Sequence, residues 1–151
     1  MKHNSGAASR AYRSAHAGSN ILDVVISIYE AVIVDLLKAR DARSAGCLDQ
    51  ELVCLQRASQ RLLGLRGALD SRIEAPLIGS LARFYLTASF QILAIARRKE
   101  PLKAAERLIG QMRSMRDAWR DVAGRISAQM QGSTFDSGVV TAVPKDLNVL
   151  L

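Results

Sequence analysis

The stretch PLKAAERLIGQMRSMRDAWRDVAGRISAQM (residues 101–130) decides the fold. Leu108, Met112, Met115, Trp119, Val122 and Ile126 recur at alternating steps of four and three. That spacing puts all six on one stripe of a helix. The rest of the helix is crowded with arginine and lysine. A helix with one apolar seam and one basic back has to lie against other helices.

Working outward, three more segments carry the helical period. Ser19 or Asn20 is placed to cap a first helix running to about Arg43, with Asp23 in its first turn. Val25, Ile28, Val32, Leu36 and Ala39 form one seam, and Tyr29, Ile33 and Leu37 a second beside it. The polar strip (Asp23, Ser27, Glu30, Lys38) is thin, so this helix expects cover on most sides. Ser44-Ala45-Gly46 breaks the pattern, and Asp49 suits the cap of a second helix. Its face comprises Leu52, Leu55, Ser59, Leu62 and Leu69, with Leu65 alongside. Gly64 and Gly67 lower its helix propensity by about 1 kcal/mol each, which either admits a close neighbour or frays the helix end. Pro76 opens a third helix to about Arg98, and Pro101 opens the fourth.

The expected fold is all-α, an antiparallel up-down four-helix bundle over residues 19–130. A flexible amino-terminal arm (1–18) precedes it. A loose tail (131–151) follows, with no sustained period and with Pro144 inside it.

Composition bounds the function. One domain of 151 residues, 49% apolar and 23% charged, buries a real core. Aromatics at 5% leave that core to Leu, Ile, Val and Ala. The net charge is +7, and most of it lies between Arg97 and Arg125, where nine basic residues meet four acidic ones. Such a surface suits nucleic acid, anionic lipid or an acidic protein, or is simply a solvated helix back with internal pairs such as Asp117 with Arg113 and Arg120. Cys47 and Cys54 are seven apart with no histidine near, which excludes a zinc motif and reads as reduced thiols. From Ala75 to Ala96 the only charge is Arg83. The length would span a bilayer, but a central Arg costs about 2.5–3.5 kcal/mol on insertion scales. A helix buried on several sides is the better reading, with no stable membrane insertion.

Catalytic patterns are missing. His3 and His16 fall in the arm, and no Glu-x-x-His, phosphate loop or dinucleotide motif occurs. Acidic residues in the helices sit mostly at outward positions. The expectation is a non-enzyme with no cofactor, no metal and no small-molecule substrate.

Two short motifs go further. Arg116-Asp117-Ala118-Trp119-Arg120 and Ile28-Tyr29-Glu30-Ala31-Val32, in this order on a four-helix layout, resemble the flagellar secretion chaperone family FliS. That family tends to show Leu-Tyr/Phe-Asp-Gly-Ala in the first long helix, Ala-Asn before the last helix, Asp-Ala-Trp near the end and a tyrosine in the arm. Here Ala96-Arg97 falls at the Ala-Asn step and Tyr12 near the arm tyrosine. Glu30 keeps the acid, while Ala31 and Val32 replace glycine and alanine. Asn20-Ile21 stands where the family has Ser/Thr-Pro, and Tyr85-Leu86-Thr87-Ala88 blurs its Leu-Tyr-x-Tyr. The similarity covers about residues 12–125.

The resemblance implies a cytoplasmic export chaperone that binds the disordered carboxy-terminal segment of flagellin in apolar grooves and prevents premature polymerisation. It implies the flagellar export gate as a further partner. The residues it points to for partner contact are Tyr12, Ile28, Tyr29, Ile33, Leu37, Leu52, Leu55 and Trp119, with Tyr12 covering part of the groove when no client is bound. Ile28, Tyr29 and Trp119 read equally as core, and Tyr12 as an exposed arm residue. Two other readings stay open: a basic helical module holding nucleic acid through Arg113, Arg116 and Arg120, made less apt by its lack of interleaved surface aromatics, and an adaptor for another secreted protein.

Overall fold

The computed structural model describes the backbone of residues 4–69 and 76–132, and side chains within those ranges from residue 21 onward. Among the described residues there are four α-helices and no strand: α1 (Asn4–Ser44), α2 (Leu48–Ala68), α3 (Pro76–Ala94) and α4 (Pro101–Gly132), with a 3₁₀ turn (Ile95–Arg97) closing α3. Helix α1 packs along both α2 and α4, and α2 packs along α3. Helices α3 and α4 meet only sparsely, mainly through the 3₁₀ turn. Arg40 with Glu106, and Arg120 with Glu30, fix α1 and α4 as antiparallel. The expected four-helix bundle is therefore the fold, opened along one seam.

Local chemistry sets the boundaries. Gly46 has φ +77°. Cys47 N–H donates to Ala42 C=O at 2.8 Å and Gly46 N–H to Arg43 C=O at 3.1 Å. This is a Schellman ending, for which a glycine in the left-handed region is the favoured residue. Pro76 and Pro101 sit at the first positions of α3 and α4, where a missing N–H costs nothing.

Two boundaries differ from the sequence reading. Helix α1 begins at Asn4, so residues 4–18, expected as an arm, continue its backbone, and Ser19 and Asn20 stand inside the helix instead of capping it. Ala7, Ala8, Arg10, Ala11, Arg13, Ala15 and Ala17 favour helix, and no proline interrupts them. The cap position of α2 is Cys47, with no side-chain cap bond, and Asp49 lies in the first turn, where it meets the positive helix end. Residues 133–151, most of the expected tail, lie outside the described residues.

The core is built from the predicted seams. Val32, Leu36 and Ala39 of α1, Leu55, Leu62 and Leu65 of α2, Leu81, Phe84 and Ile92 of α3, and Leu108, Ile109, Met112 and Met115 of α4 are buried together. Fully burying such a side chain contributes about 1.5–3 kcal/mol. Helix α3 is long and apolar enough to cross a membrane by length and composition. Its inner face is Leu81, Phe84, Tyr85, Ala88 and Ile92 of the core, yet it is covered on fewer sides than expected, since Phe90 is 62% exposed.

Acidic residues depart from the expected outward placement at two positions. Asp35 is buried and accepts a 2.8 Å bond from Arg61 Nε of α2. Glu51 is buried 3.3 Å from Arg43, whose guanidinium also donates to the Ala96 carbonyl at 3.0 Å. Each carboxylate is held by an arginine reaching across from the neighbouring helix, a partner that helical periodicity alone does not locate. Arg43 thereby ties α1, α2 and the α3–α4 corner.

Candidate functional site

An apolar groove of about 340 Å³ runs between the middle of α1 and the end of α2. Ile21, Val24, Val25 and Ile28 form one wall, and Gly64, Leu65 and Ala68 the other. Residues 21, 24, 25 and 28 are successive members of one helical face. Their burial declines along it: Val25 and Ile28 are partly buried against the core, while Val24 is 51% and Ile21 62% exposed. The opposite wall is low because Gly64 has no side chain, and a Cβ built there would meet nothing within 4 Å. The seam of α1 thus continues past the point where α2 can cover it. The seam of α4 does the same at this end, where Ile126 and Met130 are exposed. Their spacing from Trp119 and Val122 carries on the buried stripe. Exposed apolar side chains gathered at a groove make it the candidate site.

The residues predicted for partner contact divide into groups. Ile28 lines the groove. Leu37 is partly buried beside the core. Leu52 is 47% exposed on α2, remote in sequence from the groove wall, so it faces solvent instead of the core face assigned to it. The core face of α2 is instead Glu51, Leu55, Ala58, Leu62 and Leu65. Tyr29, Ile33 and Leu55 are buried by the protein itself and present no surface to a partner in this conformation. They lie on the inner side of α1 and α2, a distinction two adjacent seams on α1 leave open. Tyr12 stands on the α1 backbone, and its side chain lies outside the described residues.

Trp119 joins a buried aromatic cluster. The Tyr29 hydroxyl donates to the Tyr85 hydroxyl at 3.1 Å, with ring centroids 6.2 Å apart, and Phe84 packs 5.7 Å from Tyr85. Burial is the main cause that pushes both phenols above the usual tyrosine range. The Trp119 indole N–H is turned toward these phenols and pulls slightly the other way. It meets neither at good hydrogen-bond geometry. The cluster ties α1, α3 and α4.

Ile21, Val24, Val25, Leu65 and Ala68 line the groove but were not among the residues expected for partner contact. Gly64 is the signal the sequence offers there, and in the fold no neighbour approaches it: the space where a Cβ would stand is open.

The expected basic back of α4 is partly neutralised. Asp117 pairs with Arg116 at 3.1 Å and Arg120 at 3.7 Å, while no such bond links it to Arg113. Among the described residues no group of acids, histidines or cysteines could hold a metal ion. No curated protein and no solved structure matches the chain. The family model described as flagellar protein FliS matches residues 5–126, most of the length, and the chain belongs to that family of flagellar chaperones.

Proposed function

We propose that this protein is a cytoplasmic export chaperone that shelters the carboxy-terminal segment of flagellin in the groove between α1 and α2. The groove carries the reading: in a chain of this family, an apolar slot with Ile21 and Val24 left in water asks for an apolar occupant. A disordered segment folding there would bury its own apolar residues together with these, at about 25 cal/mol per Å² of apolar surface. Ordering the segment opposes this, so the net affinity depends on how much of it the groove and the exposed ends of α1 and α4 engage. Ile28 and Leu65 would form the floor. Tyr29, Tyr85 and Trp119 would hold that floor rigid without touching the client. A client kept in this way cannot present the same surface for polymerisation. The flagellar export gate is the receiver this role calls for.

Mixing the purified chain with the carboxy-terminal part of flagellin should give a one-to-one complex on size exclusion that persists at raised salt. Absence of co-elution at low and moderate salt removes the proposal.

A further inference from the structure

The seam between α3 and α4 holds a second trough, chemically unlike the groove. Two adjoining cavities of about 490 Å³ and 190 Å³ share Gln91. The first takes in the α3–α4 corner and the first turns of α4, the second the middle of α3 opposite Gln111. From Arg83 to Arg97 the trough follows α3 for about 21 Å at the helical rise. It exists because α3 and α4 barely meet.

Six cations line it: Arg83, Arg97, Arg98, Lys99, Lys103 and Arg107, all exposed. Glu100 is the one acid in the lining, and it pairs with Lys103 at 3.4 Å. The other five have no carboxylate partner among the described residues. Lys103 and Arg107 stand four apart on one side of α4, and Lys99 lies in the corner just before it. Elsewhere among the described side chains, arginines of α1 and α4 are paired: Arg40 with Glu106, Arg43 with Glu51 and Arg120 with Glu30. Unneutralised like charges gathered in a concave site repel one another and concentrate anions.

We propose that this trough docks an acidic protein segment, separately from the apolar groove. Charge complementarity names the occupant's sign, and the floor names its class. Ala88, Ala104 and Leu108 give an aliphatic bed below the cationic rim, which suits an amphipathic acidic helix laid along the seam. No exposed aromatic side chain lines the trough, so bases would find no stacking platform. The docking does not rest on the flagellin reading, because the two sites share no residue.

The test titrates the full chain with a labelled amphipathic peptide of about twenty residues in which Glu and Leu alternate at helical spacing. A single-stranded DNA of equal charge is run in parallel, both at about 50 mM salt, where surface charges are weakly screened. The peptide should bind, more tightly than the DNA, and weaken steeply as salt rises. Lys99→Glu/Arg107→Glu should weaken it at least about tenfold, and Arg57→Glu, an exposed charge on α2, by less than about twofold. Should the double variant melt early, Lys99→Gln/Arg107→Gln replaces it and should show the same order of effects. Failure of the peptide to bind, equal weakening by Arg57→Glu, or tighter binding of the DNA overturns the proposal. Loss of flagellin binding with the peptide interaction intact would instead count against the groove alone.

Discussion

Tyr29 of α1 and Tyr85 of α3 share a 3.1 Å hydrogen bond between their hydroxyls, buried at the centre of the bundle. Two helices that are not sequence neighbours are joined there by a polar contact inside an apolar core. A hydroxyl left alone in such a place costs more than the bond itself contributes, because its desolvation is no longer compensated.

This sets the first prediction. Tyr29→Phe and Tyr85→Phe should each lower stability by about 1–3 kcal/mol, since each strands the other hydroxyl. The double variant should lose less than the sum of the two. Urea unfolding of all four proteins checks it; strict additivity would mean the hydroxyls act independently.

The same pair predicts an alkaline limit. Both phenols have folded pKa values above the unfolded value of about 10, so their stabilisation is complete below that pH and falls as the unfolded tyrosines ionise above it. Each contributes a slope approaching 1.4 kcal/mol per pH unit. Stability measured from pH 8 to 11.5 should therefore drop steeply above about 10, and less steeply in Tyr29→Phe/Tyr85→Phe. An unchanged slope in the double variant would refute this.

Arginines at the two buried carboxylates should differ in effect. Arg43→Ala removes the 3.3 Å approach to Glu51 and the bond to the Ala96 carbonyl, and should cost about 3 kcal/mol. Arg61→Ala removes a 2.8 Å bond to Asp35, but Arg61 is itself 44% exposed, so water can take its place and the cost should be about 1–2 kcal/mol. Thermal and urea denaturation rank the two; the reverse order would show that Arg43 is not the tie at the corner.

Glycines separate turn from helix. Gly46→Ala should destabilise by about 1 kcal/mol, because φ +77° is strained for any side chain. Gly67→Ala should stabilise by about 0.5 kcal/mol, because Gly67 sits in the last turn of α2 without a positive φ and with open space where the methyl would go. Melting temperatures of the two variants should move in opposite directions.

Most of the frame was legible in the sequence. Gly46, Pro76 and Pro101 mark breaks that any helix must respect, and the α4 seam from Leu108 to Met115 is buried as its spacing requires. The start of α1 was not, because an alanine-rich segment is helical without an apolar stripe to reveal it. Periodicity also could not rank Ile28 against Tyr29. They are adjacent in sequence, and a turn of about 100° sends one to the groove and the other to the core. Asp35 and Glu51 escaped for another reason: their arginines come from other helices. The splay of α3 from α4 is a tertiary feature with no local signature, so Lys99, Lys103 and Arg107 read only as part of a charged back.

The account rests on the groove being where the client lies, and Gly64 offers the most direct test. Gly64→Trp places an indole in space that is open in the free protein, so the bundle should melt as before while the groove is filled. Calorimetric titration with the carboxy-terminal segment of flagellin should give one-to-one binding to the unsubstituted chain and at least about tenfold weaker binding to Gly64→Trp, equivalent to about 1.4 kcal/mol. Binding of equal strength to a properly folded Gly64→Trp protein would contradict it.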